Sequence, residues 1–70
     1  YQLRYDLAIA YYAAGQKREA VDSLIDIIKK NKNWQEEKAR KQLLKIFEAL
    51  GPQDKTSIAG RRKLSAVLFS

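Results

Sequence analysis

Cysteine and histidine, two residue types that carry much of protein chemistry, are absent from this chain of 70 residues. Without cysteine the chain can form no disulfide, no thiolate nucleophile and no thiolate zinc site. Without histidine it lacks the commonest general base and the commonest metal ligand. Its carboxylates mostly occupy positions that suit helix ends or surface pairs, and no glycine-rich phosphate loop is present. The sequence therefore predicts no enzyme, no cofactor and no metal site.

Long apolar runs and low-complexity segments are also missing. No stretch approaches the roughly 18 apolar residues that span a bilayer, and the first residues have the pattern of neither a signal peptide nor a transit peptide. With one proline and three glycines, no linker divides the chain. Methionine is absent and the chain opens with Tyr1. We expect one domain over residues 1–70, cut from a longer protein and without a membrane partner.

The size and the charge of the chain bound its stability and its partners. A domain this small buries only about 60% of its unfolded surface, so we expect marginal stability. Lysine and arginine number 14 against 8 acidic residues, which gives a net charge of +6. This balance permits binding to an acidic surface or to nucleic acid without requiring either.

Apolar residues recur at helical spacing in four successive segments. The first helix is predicted to end at Gly15, and the second to begin after Gln16 and Lys17. The core stripe predicted for the first helix is Leu3, Leu7, Ala10, Tyr11 and Ala14. The buried face predicted for the second is Ala20, Val21, Leu24, Ile25, Ile27 and Ile28.

A third helix is predicted to begin at Asn33 as its N-cap, with Trp34 in the first turn and Glu36 in the capping-box position. Gly51 and Pro52 predict a sharp end to it. Its predicted core residues are Ala39, Leu43, Ile46, Phe47 and Leu50.

Asp54 is the predicted N-cap of a fourth helix. Gly60 lies inside that helix at a cost of about 1 kcal/mol relative to alanine, so residues 55–60 are its weakest segment. Short connections predict antiparallel neighbours. The predicted fold class is all-α, with four helices arranged as two stacked antiparallel helical hairpins. The apolar positions of the fourth helix are Ile58, Leu64, Val67 and Leu68.

The first half of the chain resembles a tetratricopeptide repeat. The repeat is degenerate, because Arg4 replaces the aromatic residue usual at its start and Lys32 replaces its closing proline. The resemblance implies a scaffold that binds other proteins. It is carried by Gly15 and Ala20, with Leu7, Ala8 and Tyr11 before them and Leu24 and Ile27 after.

The whole chain, and most strongly its second half, resembles the carboxyl-terminal domain of bacterial thioredoxin-fold co-chaperones, the chaperedoxins of the CnoX or YbbN family. The matching residues are Trp34, 39–44, Ile46, Phe47, 49–52, Asp54, 61–65 and 68–70. Gly60 departs from the more helix-favouring residue usual in that family. The resemblance implies a cytoplasmic binding domain whose partners are its own thioredoxin-like domain, unfolded client proteins and a GroEL-type chaperonin.

A second apolar stripe on the first helix is formed by Tyr1, Tyr5, Ile9 and Tyr12. One hairpin cannot bury both stripes of this helix. We therefore predict that Tyr1, Tyr5 and Tyr12 pack on the missing thioredoxin-like domain or, in the isolated domain, on a second copy. The alternative is an exposed aromatic ledge for client segments, since tyrosine combines large contact area with a polar tip.

Arg61, Arg62 and Lys63 form the densest basic cluster. Consecutive helical residues spread over about 200°, so at most two of them share a face. We expect Arg61 or Arg62 to pair with an acidic residue of the third helix such as Glu48, or the cluster to contact an acidic partner surface.

Leu68 and Phe69 lie at the end of the last helix. They are interpreted either as core residues or as a contact that docks the helix into an apolar groove of the chaperonin.

Two alternatives of other kinds stay open. In place of a protein-binding co-chaperone domain, they make the chain a small basic nucleic-acid-binding domain or the accessory domain of an active thiol-disulfide oxidoreductase. A nucleic-acid site would want basic residues interleaved with stacking aromatics, and the sequence shows no such pattern. An upstream Cys-x-x-Cys would identify the oxidoreductase.

Overall fold

The computed structural model describes residues 1–69, which form four α-helices and, within that range, no strand. The helices are α1 (Gln2–Ala13), α2 (Lys17–Lys30), α3 (Lys38–Leu50) and α4 (Lys55–Leu68). The fold is all-α with two stacked helical hairpins, as predicted. None of the described helices is long and apolar enough to cross a membrane.

α2 is the central helix of the domain. It contacts α1, α3 and α4, whereas α3 and α4 contact each other less extensively. The domain is flat, with extents of 27 × 27 × 15 Å. Because three helices pack around α2, its apolar face must be broad, and the prediction for this face is confirmed. All six predicted residues are buried, namely Ala20, Val21, Leu24, Ile25, Ile27 and Ile28.

The face of α1 that packs against the core differs from the face that its longer apolar stripe predicts. Leu3 is 85% exposed and Leu7 is 48% exposed, whereas Ala8 is fully buried. Tyr5 and Tyr12 pack against the core beside Ala8. The predicted core stripe of α1 is therefore wrong. Since Ala8 has no side chain beyond Cβ, it lets α1 approach α2 closely.

The start of α3 also differs from the prediction. Gln35, Glu36 and Glu37 have φ values of 44°, 57° and 65°, and the helix begins only at Lys38. Consecutive left-handed residues cannot continue a right-handed helix, so a capping box starting at Asn33 is excluded. The Glu36 N–H instead donates to the Asn33 carbonyl at 3.1 Å in a turn.

The core residues and the end of α3 follow the prediction. Ala39, Leu43, Ile46 and Phe47 are buried and Leu50 is half-buried. Gly51 has a φ of 91°, a conformation that other residues rarely adopt, and the helix ends there. At the start of α4 the Asp54 carboxylate accepts hydrogen bonds from the N–H groups of Thr56 at 2.8 Å and Ser57 at 3.4 Å. The predicted N-cap is confirmed.

Gly60 is a point of close approach rather than a weak point of α4. The helix continues through it, and the residue is buried. A Cβ atom at this position would lie 2.6 Å from a ring carbon of Phe47 and 2.8 Å from a methyl carbon of Val21. Only glycine therefore lets α4 lie this close to α2 and α3.

The buried face of α4 differs from the prediction in one position. Ile58 is 47% exposed, and the neighbouring Ser57 is fully buried in its place. The Ser57 hydroxyl accepts a hydrogen bond from Arg61 Nε at 3.4 Å. Leu64 is buried as predicted, and Val67 and Leu68 pack half-buried against the core.

Leu43 and its neighbour Leu44 provide a matched test of this core. Leu43 is fully buried, whereas Leu44 is 43% exposed on the same helix. Leu43→Ala, like Phe47→Ala, should lower the free energy of unfolding by about 2 to 5 kcal/mol. Leu44→Ala should change it by less than about 0.5 kcal/mol. Urea denaturation followed by circular dichroism measures both, and equal effects would contradict the orientation of α3.

Gly60→Ala separates helix propensity from packing. Propensity alone predicts that alanine stabilises the domain by about 1 kcal/mol. Overlap with Phe47 and Val21 predicts instead a loss of about 1 to 3 kcal/mol, again measured by urea denaturation. In a Phe47→Leu background the loss should be smaller, because leucine is less bulky than the ring. A stabilising Gly60→Ala would rule out the close approach.

Candidate interaction surfaces

Two tyrosines at the start of the chain contact the only tryptophan. The ring centroids of Tyr1 and Tyr5 lie 6.4 Å and 5.5 Å from that of Trp34, which belongs to the turn before α3. Lys38 places its Nζ 4.6 Å from the ring centroid of Tyr5 and 5.8 Å from that of Trp34. We call these four residues the aromatic cluster. It joins α1 to the start of α3.

The second apolar stripe of α1, formed by Tyr1, Tyr5, Ile9 and Tyr12 and called the aromatic stripe from here on, thus has a partner within the domain. Tyr5, Tyr12 and Trp34 all pack against the core, while Tyr1 remains 51% exposed. This stripe is therefore covered in part within the domain, because Trp34 contacts Tyr1 and Tyr5, whereas Ile9 is 37% exposed. Contact of Tyr1, Tyr5 and Tyr12 with another domain or a second copy stays a prediction.

The Tyr5 hydroxyl is part of this contact. Burial raises the pKa of the Tyr5 phenol above its ordinary value, and the negative charge of Asp6 adds to the rise. The Tyr5 phenol, like any tyrosine phenol, is protonated at neutral pH. Its hydroxyl donates a long hydrogen bond of 3.5 Å to Gln42 Oε1, which again connects α1 with α3.

The other apolar face of α1 carries the exposed Leu3 and Leu7 and the half-buried Tyr11, which we call the outer stripe. These residues line a groove of about 500 Å³ together with Tyr1, Arg4 and Ser23 of α2. Leu3 is one of the two most exposed large apolar residues of the described chain, at 85%. Arg4 forms an ion pair with Asp26 of α2. The groove thus has an apolar wall and a charged edge.

A second groove lies between α2 and α4. It encloses about 560 Å³, and its apolar lining includes Ile25, Ala66 and Val67. Ser23 lines this groove as well as the one beside the outer stripe, so the two adjoin across α2. The remaining lining residues are Asp22, Asp26, Lys29 and Lys63.

The basic cluster of α4 is divided among three environments. Lys63 Nζ forms an ion pair with Asp22 of α2 at 2.9 Å. The Arg61 guanidinium lies 5.3 Å from the ring centroid of Phe47. Arg62 is exposed and forms no ion pair within residues 1–69. The predicted pairing of Arg61 or Arg62 with Glu48 is wrong, because Arg61 lies over Phe47 instead.

The two apolar residues predicted as the docking contact have different environments. Leu68 is half-buried and packs against the core, whereas Phe69 is 85% exposed. α4 ends at Leu68, with Phe69 as its C-cap. Phe69 is therefore the one of the two that a partner can reach without disturbing the domain.

Asp22 and Asp26 on α2 form ion pairs rather than a converging group. Asp26 pairs with Arg4 and, at 4.0 Å, with Lys30, while Asp22 pairs with Lys63. In the part of the chain that the structure describes, no three acidic side chains lie close enough to hold a metal ion.

Sequence reasoning missed the outer stripe as a surface because it assigned those residues to the core. Both stripes of α1 are apolar at helical spacing, so periodicity alone does not choose between them. The signal that favours the aromatic stripe is its larger burial area per residue, together with a tryptophan able to cover it, Trp34, which the prediction placed in the first turn of the third helix.

Comparison with known protein families identifies one whose model matches the chain. That family is described as tetratricopeptide repeat, and the match covers residues 1–69. The matched range includes all four helices, so it extends beyond the first half that carries the resemblance in the sequence. Comparisons with curated proteins and with solved structures found no match.

Opposite faces of α1 allow a direct test of its orientation. Tyr5→Ala removes a ring that contacts Trp34 and Lys38, and should lower the free energy of unfolding by about 1 to 3 kcal/mol. Leu3→Ala on the outer stripe should change it by less than about 0.5 kcal/mol. Trp34 is the only tryptophan, so its fluorescence emission should shift to longer wavelength in Tyr5→Ala alone. A larger loss of unfolding free energy in Leu3→Ala than in Tyr5→Ala would instead support the core stripe predicted from the sequence.

Proposed function

The chain belongs to the tetratricopeptide repeat family, and we propose that it is a protein-binding module that acts through Phe69 and the outer stripe. Domains of this family generally bind protein partners and are typically not catalytic. The observation that carries the proposal is the 85% exposure of Phe69 at the end of a helix whose neighbouring Leu68 packs into the core. A helix that is anchored by one face and ends in an exposed aromatic residue suits docking into an apolar groove.

The outer stripe supplies a second apolar surface. Leu3 and Leu7 are exposed on one face of α1, and Tyr11 is half-buried beside them. Contiguous exposed apolar side chains on a small domain mark sites where other proteins bind. The surface suits apolar segments of unfolded client proteins, because such segments bury leucine and aromatic side chains without requiring a fixed sequence.

At a finer level, the proposed parent is a cytoplasmic bacterial co-chaperone of the chaperedoxin type. The support is the residue resemblance of the second half, which includes the helix stop at Gly51 and Pro52 and the cap at Asp54. In this proposal the domain follows a thioredoxin-like domain and helps to hold clients.

Docking on a GroEL-type chaperonin is the role proposed for the end of α4. Phe69 provides the apolar contact. Arg62 is the member of the basic cluster that is free to steer the helix toward an acidic rim, because Lys63 pairs with Asp22 and Arg61 lies over Phe47. Leu68 supports the helix from within the domain.

Phe69→Ala tests the docking contact. Loss of a buried phenylalanine contact should weaken chaperonin binding by about ten-fold or more, measured by surface plasmon resonance. Ile58→Ala is the matched control, since Ile58 is an apolar residue of the same helix that is 47% exposed. It should leave the affinity unchanged. Leu68→Asp is unsuitable because Leu68 packs against the core.

Circular dichroism should show the same helicity for Phe69→Ala, Ile58→Ala and the unmodified domain. Unchanged chaperonin affinity in a folded Phe69→Ala variant would contradict docking through this residue. Equal weakening by Ile58→Ala would place the contact along α4 rather than at its end.

A further inference from the structure

Three lysines lie on one face of α3, and one of them, Lys38, also belongs to the aromatic cluster. Lys38, Lys41 and Lys45 are spaced at i, i+3 and i+7, which places them on one side of the helix. We call them the basic ridge. They line a groove of about 280 Å³ between α1 and α3, together with Tyr5, Gln35, Glu36 and Gln42.

The basic ridge lacks compensating charge. No lysine of the ridge forms an ion pair with an acidic side chain of residues 1–69, whereas Arg4, Arg40 and Lys63 each do. Glu36 is the one acidic residue that lines the groove. Three cations against one carboxylate leave a surface that attracts a negatively charged partner.

The aromatic cluster holds one end of the ridge in place. Lys38 lies 4.6 Å from the ring centroid of Tyr5, so its ammonium is positioned by a cation–π contact. Gln42 lies between Lys38 and Lys45 in the sequence, and its Oε1 accepts from the Tyr5 hydroxyl. The Gln42 side chain also carries a hydrogen-bond donor, Nε2, a group that suits a peptide carbonyl.

The length of the ridge indicates the size of its ligand. Lys38 and Lys45 are seven residues apart, or about 10 Å along the helix axis. An extended peptide rises about 3.3 Å per residue, so three or four residues span this distance. Carboxylates on such a segment can reach lysines at both ends of the ridge.

We infer that the basic ridge binds a short, extended acidic segment of a partner protein. The inference rests on the protein-binding role proposed above and adds a second contact, distinct from Phe69, which does not line this groove. Single-stranded nucleic acid fits less well, because base stacking needs free ring faces. Tyr5 and Trp34 are half-buried against each other, and Lys38 lies over the Tyr5 ring.

The probe for the test is a fluorescein-labelled peptide of six glutamates with blocked ends, titrated with the domain at low salt and followed by fluorescence anisotropy. The double variant Lys41→Gln with Lys45→Gln removes two exposed ridge charges. Lys29→Gln with Lys55→Gln is the control, since both lysines are exposed, lie outside the groove and form no ion pair in the described chain.

The ridge variant should bind the peptide about five-fold more weakly, whereas the control variant should lose less than about two-fold. Equal losses in the two variants would overturn the inference, since they would show attraction to net charge alone. Absence of binding by the unmodified domain would overturn it as well.

A labelled oligothymidylate distinguishes the other class of ligand. Tighter binding of this oligonucleotide than of the hexaglutamate, lost in the ridge variant, would overturn the inference in favour of nucleic acid. Phe69→Ala should leave the hexaglutamate affinity unchanged. A failure of the proposed chaperonin docking can therefore be distinguished from a failure of peptide binding by the basic ridge.

Discussion

The contact of Trp34 with Tyr1 and Tyr5 decides which face of α1 is buried, and both the outer stripe on α1 and the basic ridge on α3 depend on it. With the aromatic face turned inward, Leu3 and Leu7 are left at the surface. The same contact brings Lys38 over the Tyr5 ring and so forms one end of the basic ridge. A single indole outside the helices thereby positions an apolar surface and a charged one.

The other constraint is the close packing of α4 against α2 and α3 at Gly60. Lys63 also pairs with Asp22 across the same interface, but exposed ion pairs contribute at most about 1 kcal/mol. The packing of Gly60 against Phe47 and Val21 therefore sets the position of α4, and the ion pair adds little. Because α4 is held along its length, Phe69 is presented from a fixed helix end.

The surfaces differ in the kind of contact that they offer. Apolar side chains are exposed on α1 and at the end of α4, and Lys41 and Lys45, which form no ion pair in the described chain, are exposed on α3. An apolar contact changes little with salt, whereas a lysine contact with carboxylates weakens as salt is added. A partner that makes both kinds of contact would be held by the apolar contact and steered by the lysines. This division is consistent with a module that works by binding alone.

The sequence by itself determined the features that depend on neighbouring residues along the chain. These local features are one strongly apolar face on α2 and on α3, the stop at Gly51 and the cap at Asp54. The structure has each of them as predicted. Tertiary structure decided what local pattern leaves open. α1 has two apolar faces, so periodicity defines both stripes and only Trp34 selects one. Gly60 weakens an isolated helix, yet packing against Phe47 requires it. Leu68 and Phe69 are adjacent and similar in hydrophobicity, and only the position of α4 against the core buries one and exposes the other.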